Sequence, residues 1–125
     1  MLLLNFAHPL SDAQLAALEV LLKVRPEVRL IPVQLDQAQA LEHKVDRLAD
    51  AAGLDAAAWQ TTALIVNPPG LAPVAAALLA AIHGRAGHFP ALLRLRPQPG
   101  STPTVYELAE IINLQQLRER ARERR

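Results

Sequence analysis

Residues 62–67, TALIVN, form an apolar run that is closed abruptly by Pro68, Pro69 and Gly70. An apolar run without polar alternation is what a strand shows when both of its faces are covered. That degree of burial belongs to the middle of a parallel sheet flanked by helices. The rest of the chain is read around this strand. Residues 2–6, LLLNF, have the same character, and 28–35, VRLIPVQL, supply another strand in which Pro32 argues for an edge position or a bulge. FPALLRLR, 89–96, is a fourth. Helical segments separate them. Ser11 and Gln14 form a capping-box pattern ahead of a helix over about 12–23, with Leu15, Leu18, Val20 and Leu22 as its apolar side. Asp36 and Gln39 repeat the pattern ahead of a helix over about 38–52, carrying Leu41, Val45, Leu48 and Ala52 and stopped by Gly53. The alanine-rich segment 71–83 favours a helix that ends at Gly84. After the turn-rich 97–103, residues 104–112 read as a strand returning antiparallel to 89–96, although the spacing of their acidic residues tolerates helix. Asn113, with Gln116 at the reciprocal position, then caps a basic helix over about 114–125.

The resulting order, β-α-β-α-β-α-β-β-α, specifies an α/β fold. One domain is expected over 1–125, with a mostly parallel open sheet, a C-terminal antiparallel hairpin and a terminal helix. With no cysteine, disulfides and thiolate metal sites are excluded. The opening MLLLNFAHP lacks a basic region and a long apolar run, and no stretch reaches the length of about eighteen apolar residues that a membrane span needs. A cytoplasmic location is therefore expected. The net charge of +1 is unevenly spread. The tail RERARERR, 118–125, carries five arginines and two glutamates, so the remainder of the chain is mildly acidic. Long-range attraction of DNA or RNA has little support from that distribution, whereas a small anion needs only local donors.

In an open parallel sheet, ligands bind beyond the carboxyl ends of the strands. Three segments gain interest from that rule. NFAHP places Asn5 and His8 at this edge. His8 suits a phosphate contact or proton transfer, while the plainer reading is that Asn5 satisfies backbone groups and His-Pro shapes the turn. NPPG, with Asn67 and Gly70, precedes a helix whose first N–H groups suit an anion; a purely structural turn accounts for it equally. It lacks the Lys-Ser/Thr pair of a P-loop. Beyond the fourth strand, Arg96 with Ser101 and Thr102 makes the best anion pocket that residue types alone suggest. Glu107 and Glu110 are placed to pair with Arg94 or Arg96 across the hairpin. HGRAGHFP, 83–90, concentrates His83, Arg85 and His88, but topology puts it at the opposite edge of the sheet. Its two histidines lack helical spacing and a third ligand, so no metal and no cofactor is expected. Its glycines suit a helix stop, and Arg85 and His88 remain as a secondary site.

Taken in order, NFAHP, NPPG, HGRAGHFP, LRLRPQPGSTP and EIINLQ resemble a family of small stand-alone CRISPR-associated accessory proteins of the Csx type, found with type III systems and related to CARF sensor domains. The resemblance runs from Leu2 to about Arg118 and includes Asn5, His8, Asn67, Gly70, His83, Arg85, His88, Arg96, Ser101, Thr102 and Asn113. It implies a Rossmann-like fold, a homodimer and a cyclic oligoadenylate ligand, cyclic tetra-adenylate first, the second messenger of type III signalling. Two activities follow from it. One is sequestration of the messenger. The other is metal-independent ring cleavage by 2′-hydroxyl attack, for which His8, His88 and Arg96 are the candidate catalytic groups. A structural or regulatory partner of another Cas protein is the third reading.

Overall fold

The computed structural model describes residues 1–125. Five strands, β1 (Leu2–Asn5), β2 (Glu27–Leu30), β3 (Leu64–Asn67), β4 (Ala91–Pro97) and β5 (Tyr106–Asn113), form one sheet in the order β2-β1-β3-β4-β5. β1, β2, β3 and β4 run parallel and β5 returns antiparallel to β4. The helices are α1 (Asp12–Leu22), α2 (Leu41–Asp50), α3 (Ala56–Thr61), α4 (Ala72–Ala86) and α5 (Leu114–Arg122). None is long and apolar enough to cross a membrane. The chain is thus an α/β domain with a mixed, mostly parallel sheet, a C-terminal hairpin and a terminal helix.

The apolar runs fold as strands because both of their faces are covered. Leu3, Ile65 and Leu93 meet Leu18 of α1 on one face. Leu2, Leu4, Leu64 and Val66 meet Val45, Ala49, Trp59, Val74, Leu78 and Ile82 of α2, α3 and α4 on the other. β1 and β3 are buried along their whole length.

Several boundaries differ from the sequence reading, each for a local reason. β2 ends at Leu30, not at residue 35. Ile31 N still donates to Asn5 O at 2.8 Å, but Pro32 has no N–H to donate, and 32–35 runs on without a sheet partner. The segment expected to form one helix over 38–52 is shorter, and a further helix, α3, was not anticipated in 56–61. Asp36 does not cap α2; its Oδ1 accepts from Ala38 N in a local turn, and α2 starts from Ala40 without a side-chain cap. α3 is opened by Asp55, whose carboxylate accepts from Ala58 N. It exists to bury Trp59, a single anchor that gives too little periodicity to be seen in sequence. Val20, assigned to the apolar side of α1, is 79% exposed. Leu18 and Leu22, four apart, point to the sheet, and Val20 between them points away. By contrast, the Ser11–Gln14 capping box, the Gly53 turn and the Asn113 cap, which accepts from Gln116 N, are all present.

α4 runs through Gly84 and ends at Gly87, whose φ of 81° is left-handed. Arg85 therefore lies in the last helical turn and not in a loop. The two glycines are expected to respond to alanine with opposite signs. Gly84→Ala should stabilise by about 0.5–1 kcal/mol, since the position is exposed helix interior with open space around it. Gly87→Ala should destabilise by about 1 kcal/mol, because a Cβ is strained in the left-handed region. Urea unfolding of both variants checks the pair.

Candidate functional site

In the order β2-β1-β3, the chain leaves β1 for β2 on one side and reaches β3 across the other face of the sheet. The loops after β1 and β3 consequently diverge to opposite faces, and the gap between them is a natural ligand crevice. The structure has such a crevice, of about 520 Å³, walled by Phe6, Ala7 and His8 from the first loop and Pro68, Pro69, Gly70 and Leu71 from the second. Val33 and Leu35, on the extended chain beyond β2, close a third side.

Both loops are held by buried asparagines. Asn5, 1% exposed, accepts from Ala7 N at 3.0 Å and donates from Nδ2 to His8 O at 3.0 Å, folding the first loop around its own side chain. Asn67, 5% exposed, donates from Nδ2 to Asn5 Oδ1 at 3.0 Å and so ties the ends of β1 and β3 together. Register makes this possible: Asn5 and Asn67 are direct partners in the parallel ladder, so their side chains emerge side by side. Asn5 has thus spent its hydrogen-bonding groups on the protein. The two asparagines build the crevice and do not line it.

His8 is exposed and is the only titratable side chain on the crevice wall. A Cβ built at Gly70 has no heavy atom within 4 Å, so the wall stands open there. α4 begins beside it at Leu71, which makes no side-chain cap, and Pro73 sits in the first turn. The first helical bond is Ala75 N to Leu71 O, which leaves the Ala72 and Val74 N–H groups without a backbone partner. The crevice is mainly apolar, with one imidazole and a few amide donors at its edge.

The remaining site residues lie elsewhere. β3 pairs with β4 only at Ile65–Ala91 and Val66–Leu92, so the β4–β5 hairpin extends past the end of β3 as an arm. Gln14 Nε2 donates to Tyr106 O at 2.8 Å and pins the arm to α1. On it, Arg94 donates to Glu110 at 2.7 Å and Arg96 to Glu107 at 3.1 Å, as the residue types suggested. Ser101 Oγ donates to Gln98 O and accepts from Val105 N, so its hydroxyl shapes the turn. Thr102, exposed, precedes the cis peptide to Pro103. Arg96, Ser101 and Thr102 are not part of the crevice wall, and each of the first two already has an internal partner.

HGRAGHFP is spent on structure. Arg85 donates to Asp50 Oδ1 at 2.7 Å and to Asp46 O at 3.2 Å and lies 5.8 Å from the Trp59 ring centroid, clamping α4 to α2 and α3. His83 packs against Phe89 with ring centroids 4.3 Å apart. His88 Nδ1 lies 3.1 Å from Ala86 O. The stretch feeds the amino end of β4, at the sheet edge opposite His8. Asn113, also away from the crevice, is a helix cap.

Residues that sequence reasoning did not single out are Val33 and Leu35. They belong to a segment read as strand, and its apolar pattern gave no sign that it leaves the sheet to wall the crevice. Asn5→Ala should lower stability by about 2–3 kcal/mol, since it strands the Ala7 N–H and the Asn67 amide. His8→Ala should change it by no more than about 0.5 kcal/mol. Thermal unfolding of the two variants makes the comparison. Comparison with protein-family models, with characterised proteins and with solved structures finds no match to this chain.

Proposed function

We propose that this protein is a binding module for a cyclic oligoadenylate, cyclic tetra-adenylate first, that takes the ligand at the β1/β3 crevice and sequesters it. The observation that carries this reading is convergence. NFAHP and NPPG, both singled out by the carboxyl-edge rule, form two walls of one crevice at the topological switch point of the sheet. Its apolar walls suit a purine face, and the amides at the start of α4 suit a phosphate or a base edge. Four nucleotides exceed a crevice of about 520 Å³, so a ring is served better by two protomers facing each other across a two-fold axis. A homodimer is part of the proposal for that reason.

Binding is favoured over cleavage by the dispersal of the candidate catalytic groups. His8 is in the crevice wall, His88 is at the opposite sheet edge, and Arg96 is paired with Glu107 on the arm. In-line attack needs a base and a charge-stabilising group converging on one phosphate. A single exposed imidazole supplies at most one of these.

The test is incubation of excess protein with labelled cyclic tetra-adenylate in EDTA, following binding and product together, with light scattering to report the assembly. Tight binding with intact ring after hours is the expected result. Linear product over several turnovers would make the chain a ring nuclease, and no binding to any ring size would leave partnership with another protein. Within the same assay, Gly70→Leu should weaken binding by at least about tenfold, or about 1.4 kcal/mol, by filling the crevice. Its stability should stay within about 0.5 kcal/mol of the parent.

A further inference from the structure

Behind Leu35, a second groove of about 400 Å³ runs between α2 and the extended segment 31–35. Pro32, Gln34 and Leu35 form one side, and Lys44, Arg47 and Leu48 the other. Leu35 walls both this groove and the crevice, so the two adjoin.

Lys44 is the one buried cation of this chain. Arg25, Arg29, Arg85, Arg94 and Arg96 each have a carboxylate within 4.0 Å. Lys44 and Arg47 have none, which is equally true of the exposed Lys23, Arg120, Arg124 and Arg125; what sets Lys44 apart is that it is only 9% exposed. Its Nζ donates to one neutral acceptor, Gln34 O at 3.1 Å, while an ammonium carries three donors. A buried ammonium is retained at little cost only when a charge or a full set of acceptors surrounds it. Of the acids on the same helix, Asp46 and Asp50 are engaged by Arg85, and Glu42 makes no ion pair with either cation. Lys44 and Arg47 are also three apart on α2, a spacing at which like charges repel. A helix that holds two neighbouring cations in one groove, without a counter-charge, is matched to an anion that arrives from outside.

We infer that Lys44 and Arg47 form a phosphate site: the Lys44 ammonium and the Arg47 guanidinium grip a phosphoryl group in the groove, and a nucleotide lying in the crevice reaches it around Leu35. The phosphate site stands on these two side chains. That its phosphate belongs to the ligand of the crevice rests on the function proposed above.

Isothermal titration with two probes, inorganic pyrophosphate and cyclic tetra-adenylate, separates the claims, using the parent chain, Lys44→Met and Arg47→Gln. A charge-assisted contact to phosphate is worth enough that each substitution should weaken whichever probe binds by about tenfold or more. Lys44→Met should keep or raise the melting temperature without anion, because it removes an uncompensated charge. A Lys44 that merely tied segment 31–35 to α2 would give a lower one. Arg47→Gln guards against a folding artefact, since the exposed Arg47 side chain makes no hydrogen bond or ion pair within the protein. If pyrophosphate binds and is weakened by both substitutions while the cyclic ring does not bind, the phosphate site stands and the proposed function fails. If the ring binds with equal affinity to the parent and both variants, the proposed function stands and the phosphate site is overturned. Failure of both probes to bind the parent chain overturns both.

Discussion

The hydrogen bond between Asn67 and Asn5 sits at the one point where the sheet has to hold together while its loops separate. β1 sends its chain to one face and β3 to the other. Backbone pairing ends there, with Phe6 N donating to Asn67 O as its last rung. A ladder ending between diverging loops would fray in water. Two amide side chains in register continue the pairing by one more step in side-chain chemistry. Asparagine is suited to this because one side chain carries both a donor and an acceptor. Asn5 uses both, receiving from its neighbour strand and from its own loop while giving to His8 O. The crevice is therefore shaped by residues that do not line it.

The other structural decision is made in the hairpin. Glu107 and Glu110 are three apart, which breaks the two-residue period of a strand. A register shift between Arg94 and Leu95 resolves it, pairing Arg94 with Glu110 and Leu95 with Leu108 and leaving Ala109 as the extra residue. Leu108 and Ile111 then both reach the core under α1, beside Leu93 and Leu95. The two glutamates meet the two arginines on the other face. The spacing that tolerated a helix is thus the signature of a bulge, and the ion pairs are the consequence of the same residue.

How much of this was legible depended on how local the cause was. TALIVN and LLLNF announced buried strands because full burial leaves a direct mark on composition. Ser11 with Gln14, and Asn113 with Gln116, announced helix starts because a cap is a contact over three residues. That the first and third loops share one edge was legible from the rule for parallel strands, whereas their meeting in one crevice rests on the strand order, which the structure supplies. Pairing of Arg96 with a glutamate across the hairpin was legible from residue types, but its place on an arm outside the crevice wall was not, because residue type indicates what a side chain is able to bind and not where the strand carries it. For HGRAGHFP the helix stop and the opposite sheet edge were legible, whereas the match of Arg85 to Asp46 and Asp50, on a helix some thirty-five residues earlier, was too distant in sequence to be read. Segment 31–35 was read as the second half of a strand that Pro32 marks as an edge or a bulge; β2 is the edge strand, but it ends at Leu30. Its apolar residues satisfy a strand pattern, and only tertiary packing takes them to the crevice and the cationic groove instead.

The brevity of β2 bears on what the outer edge of this sheet offers to other chains. An outer strand offers a row of unpaired amides and carbonyls to any other chain, and long flat edges of this kind seed aggregates. β2 has four residues, two of them the charged Glu27 and Arg29, and Pro32 follows shortly after with no amide to offer. Val28 and Leu30 are exposed there, so the surface is sticky enough to need such protection. Another strand arriving at this edge finds too few rungs to hold it. The sheet stops growing at β2, and apolar surface that would otherwise invite fibrous stacking is confined to contacts between side chains.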